Sequence, residues 1–244
     1  MLNAMLELAV RHDRIARNVA RGADLPPIRR TEAPYFEPAV VDRIIATMPD
    51  RYQAFVAVQG VCGLRFGEAA ATRRRSVDLL RRRLLVSESL AEVSGSLLFG
   101  PTKSHAQRSV PLPPTVTARL EEHLEQVGAD PDVLAFTSTN GYPIRHRNFL
   151  RRVWHPVLRE LGLPLVGCHA LRHSAAARMI GAGWSAKAVQ STLGHASASF
   201  TLTVYGHLFE ADLDALAAAL DDPGAEQDPQ RYRQQAPHIA SDLW

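Results

Sequence analysis

The stretch HALRHSAAARMIGAG, residues 169–183, carries the reading of this chain. It predicts a helix over 169–182 ended by Gly183, the residue that most easily leaves a helix C-terminus. His169, Arg172 and His173 stand at i, i+3 and i+4, so they share one helix face. Two histidines four apart invite a zinc reading. The zincin pattern needs glutamate directly after the first histidine, and Ala170 occupies that place. No obvious third ligand follows, and no metal site is read. The G-x-S-x-G elbow of serine hydrolases is absent. GLRFGE at 63–68 lacks the glycine spacing of a phosphate-binding loop.

Three further polar clusters stand out. GLRFGEAAATR at 63–73 sets Arg65 and Glu68 at a helix start broken by Gly63 and Gly67. GPTKSHAQRSVPLP at 100–113 holds Lys103, one of only two lysines (the other is Lys187) against 26 arginines. LGHASASFTLTVYGH at 193–207 sets His195 ten residues before Tyr205. Each cluster alone has an ordinary structural reading. Arg65 and Glu68 can be a surface ion pair worth a few tenths of a kcal/mol. Arg172 can meet a carboxylate, His195 can be a helix-end cation, and Tyr205 can be a core aromatic.

Outward from these clusters, helices are predicted at 38–48, 51–62, 114–127, 146–161, 185–193 with Ser185 as N-cap, around 197–205, and at 208–221. Between 83 and 112 the period becomes strand-like: RLLVSESL, GSLLFG and RSVPLP, separated by SG and TKSHAQ turns. This predicts a small antiparallel sheet of three strands with Lys103 in its second turn. The fold class is therefore α+β, mainly helical. Residues 1–21 read as a helix, 22–34 as a linker with Gly22 and three prolines, 35–222 as one domain, and 223–244 as a polar flexible tail.

With 244 residues, 46% of them hydrophobic, the chain can bury a core. No apolar run approaches the roughly 18–20 residues that span a bilayer, and the N-terminus has no signal-peptide pattern. Cys62 and Cys168 make no disulfide framework, so a reduced, cytoplasmic protein is expected. The net charge of +3 conceals an asymmetry: residues 210–244 carry −6 and residues 1–209 carry +9. Positive charge clusters at 73–75, 81–83 and 145–152. A basic body points to a polyanion partner.

Taken in order, the four clusters resemble the tyrosine recombinase, or phage-type integrase, family. That family's pattern is an arginine in a G-L-R-x-x-E box, a lysine in a β-turn, H-x-L-R-H, L-G-H, and a tyrosine about ten residues on. This chain supplies Arg65 with Glu68, Lys103, His169 with Arg172, His195 and Tyr205. The resemblance covers about 35–222. AVRHDRIARN at 9–18 resembles the last helix of the family's core-binding domain, most of which is not in this chain.

The resemblance implies a site-specific recombinase that cleaves and rejoins DNA through a 3′-phosphotyrosine, without metal or high-energy cofactor. Tyr205 would be the nucleophile. Arg65 and Arg172 would hold the non-bridging phosphate oxygens. His169 would be the general base or a phosphate donor, and His195 a donor to phosphate. Glu68 would orient Arg65 or His169, with His173 in support. Lys103 would protonate the departing 5′-oxygen, a task arginine cannot readily do because its pKa exceeds ~12. Arg73, Arg74, Arg75, Arg145, Arg147, Arg151 and Arg152 would hold phosphates of double-stranded DNA. Self-association on DNA into a tetrameric synapse is implied, with 208–222 as a segment that packs on a neighbouring copy or on its own domain. The alternatives are a truncated, non-recombining DNA-binding protein derived from an integrase, and an RNA-binding or structural basic protein.

Overall fold

The computed structural model describes residues 2–23, 34–102, 107–195 and 197–206. The chain divides into two compact units, Met1–Glu32 and Ala33–Trp244. In the first unit, α1 (Leu2–Arg11) buries none of its residues. The helix expected over 1–21 therefore stops early. Asp13 takes a left-handed φ of 52°, which ends a helix of L-residues. Asn18 Nδ2 then folds back to Asn3 Oδ1 at 2.6 Å and Glu7 Oε1 at 2.8 Å.

The second unit is built around α3 (Asp50–Gly60), which follows α2 (Pro38–Thr47). Every residue from Ala54 to Gly60 is buried, so this part of α3 is surrounded by the core on all sides. Phe55 meets the rings of Phe66, Phe136 and Phe149 at 5.3–5.4 Å, all at steep angles. Such edge contacts add about 0.5–1.5 kcal/mol to the burial of each ring. Behind α3 comes the short α4 (Phe66–Ala71).

Five strands follow: β1 (Val77–Asp78), β2 (Arg83–Val86), β3 (Glu88–Val93), β4 (Ser96–Pro101) and β5 (Arg108–Pro111). A three-stranded antiparallel sheet forms as expected, but its order is β1-β2-β5, so Val77–Asp78 joins it and the expected strand GSLLFG does not. RLLVSESL is two strands, not one. Its first half turns Leu84 and Val86 into the core and pairs Leu84 with Val110. After Ser87 the chain leaves that ladder, and β3 pairs only with β4. The β3–β4 turn is the expected Ser94–Gly95 pair, with φ of 49° and 82°. Two positive φ values match the twist of a tight hairpin.

The remaining helices are α5 (Pro114–Glu125), α6 (His146–Phe149), α7 (His155–Glu160), α8 (His169–Gly181), α9 (Ala186–Leu193) and α10 (Ala198–Tyr205). The single helix expected at 146–161 is α6 and α7 joined by a π-helical turn, Leu150–Trp154. Pro156 lies in the first turn of α7 and gives the preceding carbonyls no amide partner, so the helix widens there. Trp154, fully buried, donates its indole N–H to Val166 O at 2.7 Å. Ser185 caps α9 as expected, accepting from Ala188 N at 3.2 Å. Among the described residues, no helix is long and apolar enough to cross a membrane. The expected helix at 208–221, the tail and Lys103 lie outside the described residues.

Gly63 joins α3 to α4 at a φ of 78°, and a Cβ there would lie 2.3 Å from Leu193 Cδ2 at the end of α9. Both the left-handed backbone and this close approach require glycine. Gly63→Ala is expected to cost about 2–4 kcal/mol, from backbone strain and overpacking together. Urea unfolding at an unchanged midpoint would contradict that close approach.

Candidate active site

Helix α9 ends at Leu193, and Gly194 turns the chain away at a φ of 68°. The last carbonyls of a helix have no partner within it and carry the negative end of its dipole. Here three arginines from three different elements supply the missing donors. Arg108 Nε donates to Thr192 O at 2.8 Å. Arg172 Nη2 donates to Leu193 O at 2.6 Å. Arg65 Nη2 donates to Gly194 O at 3.1 Å. Arg172 also bonds Gly63 O at 2.7 Å, and it is only 2% exposed.

Glu68 is the carboxylate among these guanidiniums. It sits at the third position of α4, whose N-cap is Arg65. One oxygen accepts from Arg65 N at 2.9 Å and the other from Arg65 Nη1 at 2.8 Å. Arg108 meets the same two oxygens at 3.1 and 2.7 Å. Burial works against the charge of Glu68, but the bonds and charge of Arg108, with those of Arg65, outweigh it and hold its pKa down to about 2. Glu68 thus contacts Arg65, one of its two expected partners, and also Arg108.

Tyr205 ends α10 and is 4% exposed. Its hydroxyl lies 2.6 Å from His173 Nδ1. His169, the expected base, is next to His173 instead, with the two rings edge-on at 4.7 Å. His195 stacks on Tyr205 at 6.2 Å and 12° between planes. Its Nδ1 is 2.8 Å from Thr201 Oγ1. Burial raises the Tyr205 pKa to about 12, against the lowering effect of Arg172. Burial, then the charges of His169 and Arg172, lower His173 to about 4. Burial, then Arg172 and Arg65, lower His195 to about 3. His169 is lowered for the same reasons. At neutral pH the phenol therefore keeps its proton, and a neutral His173 imidazole faces it at hydrogen-bond distance.

The structure thus gathers Arg65, Glu68, His169, Arg172, His173, His195 and Tyr205 on the ends of α4, α8, α9 and α10. It adds Arg108, which sequence reasoning missed. Arg108 is one arginine among 26, alone at the start of a strand, and only its placement marks it.

The arginines expected to meet phosphates divide into two groups. Arg73 pairs with Glu88 and lies over the Phe99 ring at 5.6 Å. Arg74 donates to Leu124 O at 2.6 Å, Arg75 pairs with Asp132, and Arg145 bonds Glu92 and Gly95 O. These four are built into the fold. Arg147, Arg151 and Arg152 are exposed and form no ion pair among the described residues.

The lowered histidines make stability pH-dependent. Below about pH 6.5 the unfolded chain takes up protons that half-buried His173 and buried His195 refuse until about pH 4 and 3. Stability is therefore lost as pH falls through that window, and Glu68 adds a further loss below its ordinary value of 4.5. The melting temperature is expected to fall between pH 7 and pH 5, with a shallower slope in His195→Gln. A flat profile in the parent chain would contradict burial of neutral imidazoles.

Residues 34–212 match the phage integrase family. A prophage phiRv2 integrase of Mycobacterium tuberculosis is 30% identical over 227 residues, covering 90% of this chain and 60% of that protein. The ICEBs1 integrase of Bacillus subtilis is 24% identical over 236 residues, covering 91% of this chain and 63% of that protein. The chain thus spans about three-fifths of the length of these relatives. Among solved structures, the Tn1549 transposon integrase in complex with transposon right end DNA matches with a TM-score of 0.73 at 21% identity, covering 90% of this chain and 75% of that one. The XerH site-specific recombinase bound to its difH substrate matches with a TM-score of 0.58 at 19% identity, covering 90% and 63%. With a matching family over most of its length and this fold around Tyr205, the chain belongs to the phage integrase family and has the fold of a tyrosine recombinase catalytic domain.

Proposed function

We propose that residues 35–222 are the catalytic domain of a site-specific DNA recombinase that breaks and rejoins strands through a 3′-phosphotyrosine. One observation carries this reading: a buried tyrosine hydroxyl rests on a neutral imidazole beside two guanidiniums, with Glu68 the carboxylate among them in the described residues. That is the equipment for attack on a phosphodiester.

Tyr205 Oη attacks phosphorus, and its proton passes to His173 Nδ1. The bond from phosphorus to the 5′-oxygen breaks, and that oxygen takes a proton from Lys103. The energy of the broken bond is kept in the phosphotyrosine, so a 5′-hydroxyl can reverse the step on another strand. Arg65 and Arg172 neutralise the non-bridging oxygens, with His169 and His195 as further donors. The phosphate itself aids the first proton transfer, since its negative charge raises the imidazole pKa. Arg172 already lowers that of the phenol.

The partner proposed is double-stranded DNA, with self-association into a tetrameric synapse. The DNA held by the Tn1549 integrase and by XerH supports this reading. The positive balance of residues 1–209 supports it too. Residues 1–21, helical over Leu2–Arg11, would be the end of a core-binding domain, 22–34 a linker and 223–244 a flexible tail. The protein would act in the cytoplasm. Arg147, Arg151 and Arg152 are the best candidates for phosphate contacts outside the active site, because they are exposed and form no ion pair among the described residues.

The test is covalent trapping on a nicked, labelled duplex spanning the DNA that flanks the gene, resolved on denaturing gels. The parent chain is expected to form an adduct and Tyr205→Phe none. Arg172→Ala should slow adduct formation by about 10²–10³-fold. Lys103→Arg should bind the duplex as the parent does and cleave poorly. Binding without any adduct would point to a non-recombining DNA-binding protein, and cleavage by Lys103→Arg at the parent rate would remove the general-acid role.

A further inference from the structure

Arg108 is the third guanidinium on the end of α9, and its chemistry differs from that of the other two. Its side chain is 10% exposed, against 26% for Arg65. Nη1 and Nη2 form a two-pronged pair with both oxygens of Glu68, and Nε is spent on Thr192 O. All three nitrogens of the guanidinium are directed into the protein. Arg65 and Arg172 bond carbonyls and Glu68 through Nη1 and Nη2, whereas Arg108 bonds through Nε as well, which makes it the most fully committed of the three.

What Arg108 holds is the machinery itself. The two Glu68 oxygens that it grips are those that bond Arg65 N and Nη1. The carbonyl it grips lies three residues before His195 and next to the Leu193 carbonyl that Arg172 grips. Gly194 packs on the same side chain: a Cβ there would be 3.0–3.2 Å from Nη1, Cζ and Cδ of Arg108. Glycine at this position thus serves the left-handed turn and the close seat of the guanidinium. Without Arg108, Glu68 would be a buried carboxylate with Arg65 as its one remaining partner. The α9 turn would lose one of its three donors. Lysine could replace the charge but not the planar fork that reaches Glu68 twice and Thr192 once.

We propose that Arg108 is a positioning residue for strand cleavage: through Glu68 it aims Arg65, and through the Thr192–Gly194 turn it sets His195. This rests on the reading of Arg65 and His195 as phosphate ligands. A purely structural ion pair would instead lower stability and leave the folded protein's rate unchanged.

The experiment measures single-turnover adduct formation at saturating nicked duplex, alongside duplex affinity and melting temperature, for Arg108→Lys and Arg108→Ala. Both are expected to bind duplex within a few-fold of the parent and to form adduct more slowly. The loss should be about 10-fold for lysine and nearer 100-fold for alanine, the range seen when partners that orient a reacting group are removed. If Arg108→Ala does not fold, the lysine variant decides the matter alone. In an Arg65→Lys background, Arg108→Lys should cost less than about 3-fold more, because the two act on one element. Parent-rate cleavage by folded Arg108→Lys, or full multiplication of the two losses, would overturn the proposal. Duplex binding without adduct in the parent chain would instead overturn the strand-cleavage reading, and this proposal with it.

Discussion

Three guanidinium groups converge on the last three carbonyls of one helix, with one buried carboxylate to share their charge. Bringing Arg65, Arg108 and Arg172 together costs free energy through mutual repulsion and lost hydration. Two features offset it. The end of α9 offers carbonyls that need donors and the negative end of a helix dipole. Glu68 offers both oxygens to two of the arginines. What remains is a preorganised excess of positive charge with part of its hydrogen-bonding capacity unspent. A site of this kind favours an anion before the anion arrives, so little reorganisation is needed when charge develops.

The same charge shapes the titrating groups around Tyr205. Arginines and burial act together on the histidines and keep them neutral, as acceptors and single donors. On the tyrosine they oppose one another, and burial wins, so the phenol rests protonated. The phenol therefore rests against the His173 imidazole without ionising. A phosphate bound here would raise the imidazoles, the direction a proton transfer from the phenol needs, but its charge would raise the phenol as well and leave the arginines to oppose that.

Charge clustering along the chain proved a poor guide to free cations. RRR at 73–75 reads as a basic surface, yet its three side chains are tied to Glu88, Leu124 O and Asp132. Arg145 is held by the β3–β4 hairpin. Arginine's several donors make it as useful for joining loops as for meeting phosphate. Arg147, Arg151 and Arg152, in and beside the π-helical turn, are the ones left facing solvent.

Much of this protein was legible because its signals are local. Helix periodicity, the Ser185 cap, the Ser94–Gly95 turn and the face shared by His169, Arg172 and His173 depend on residues a few positions apart. Backbone geometry alone converts such spacing into placement. The motif residues could also be placed in order, since the resemblance to the tyrosine recombinase family ties each residue type to a position in its pattern. Tertiary structure decided the rest. It split RLLVSESL between two ladders, because Leu84 and Val86 had a core to reach and the residues after Ser87 had a different partner. It set the phenol on His173 rather than His169, with α10 packed against α9. It also recruited Arg108, 40 residues from Glu68 and 84 from Thr192, into the centre of the site. No spacing along the chain encodes such a contact, because it exists only once the strand, the helix start and the helix end have packed together.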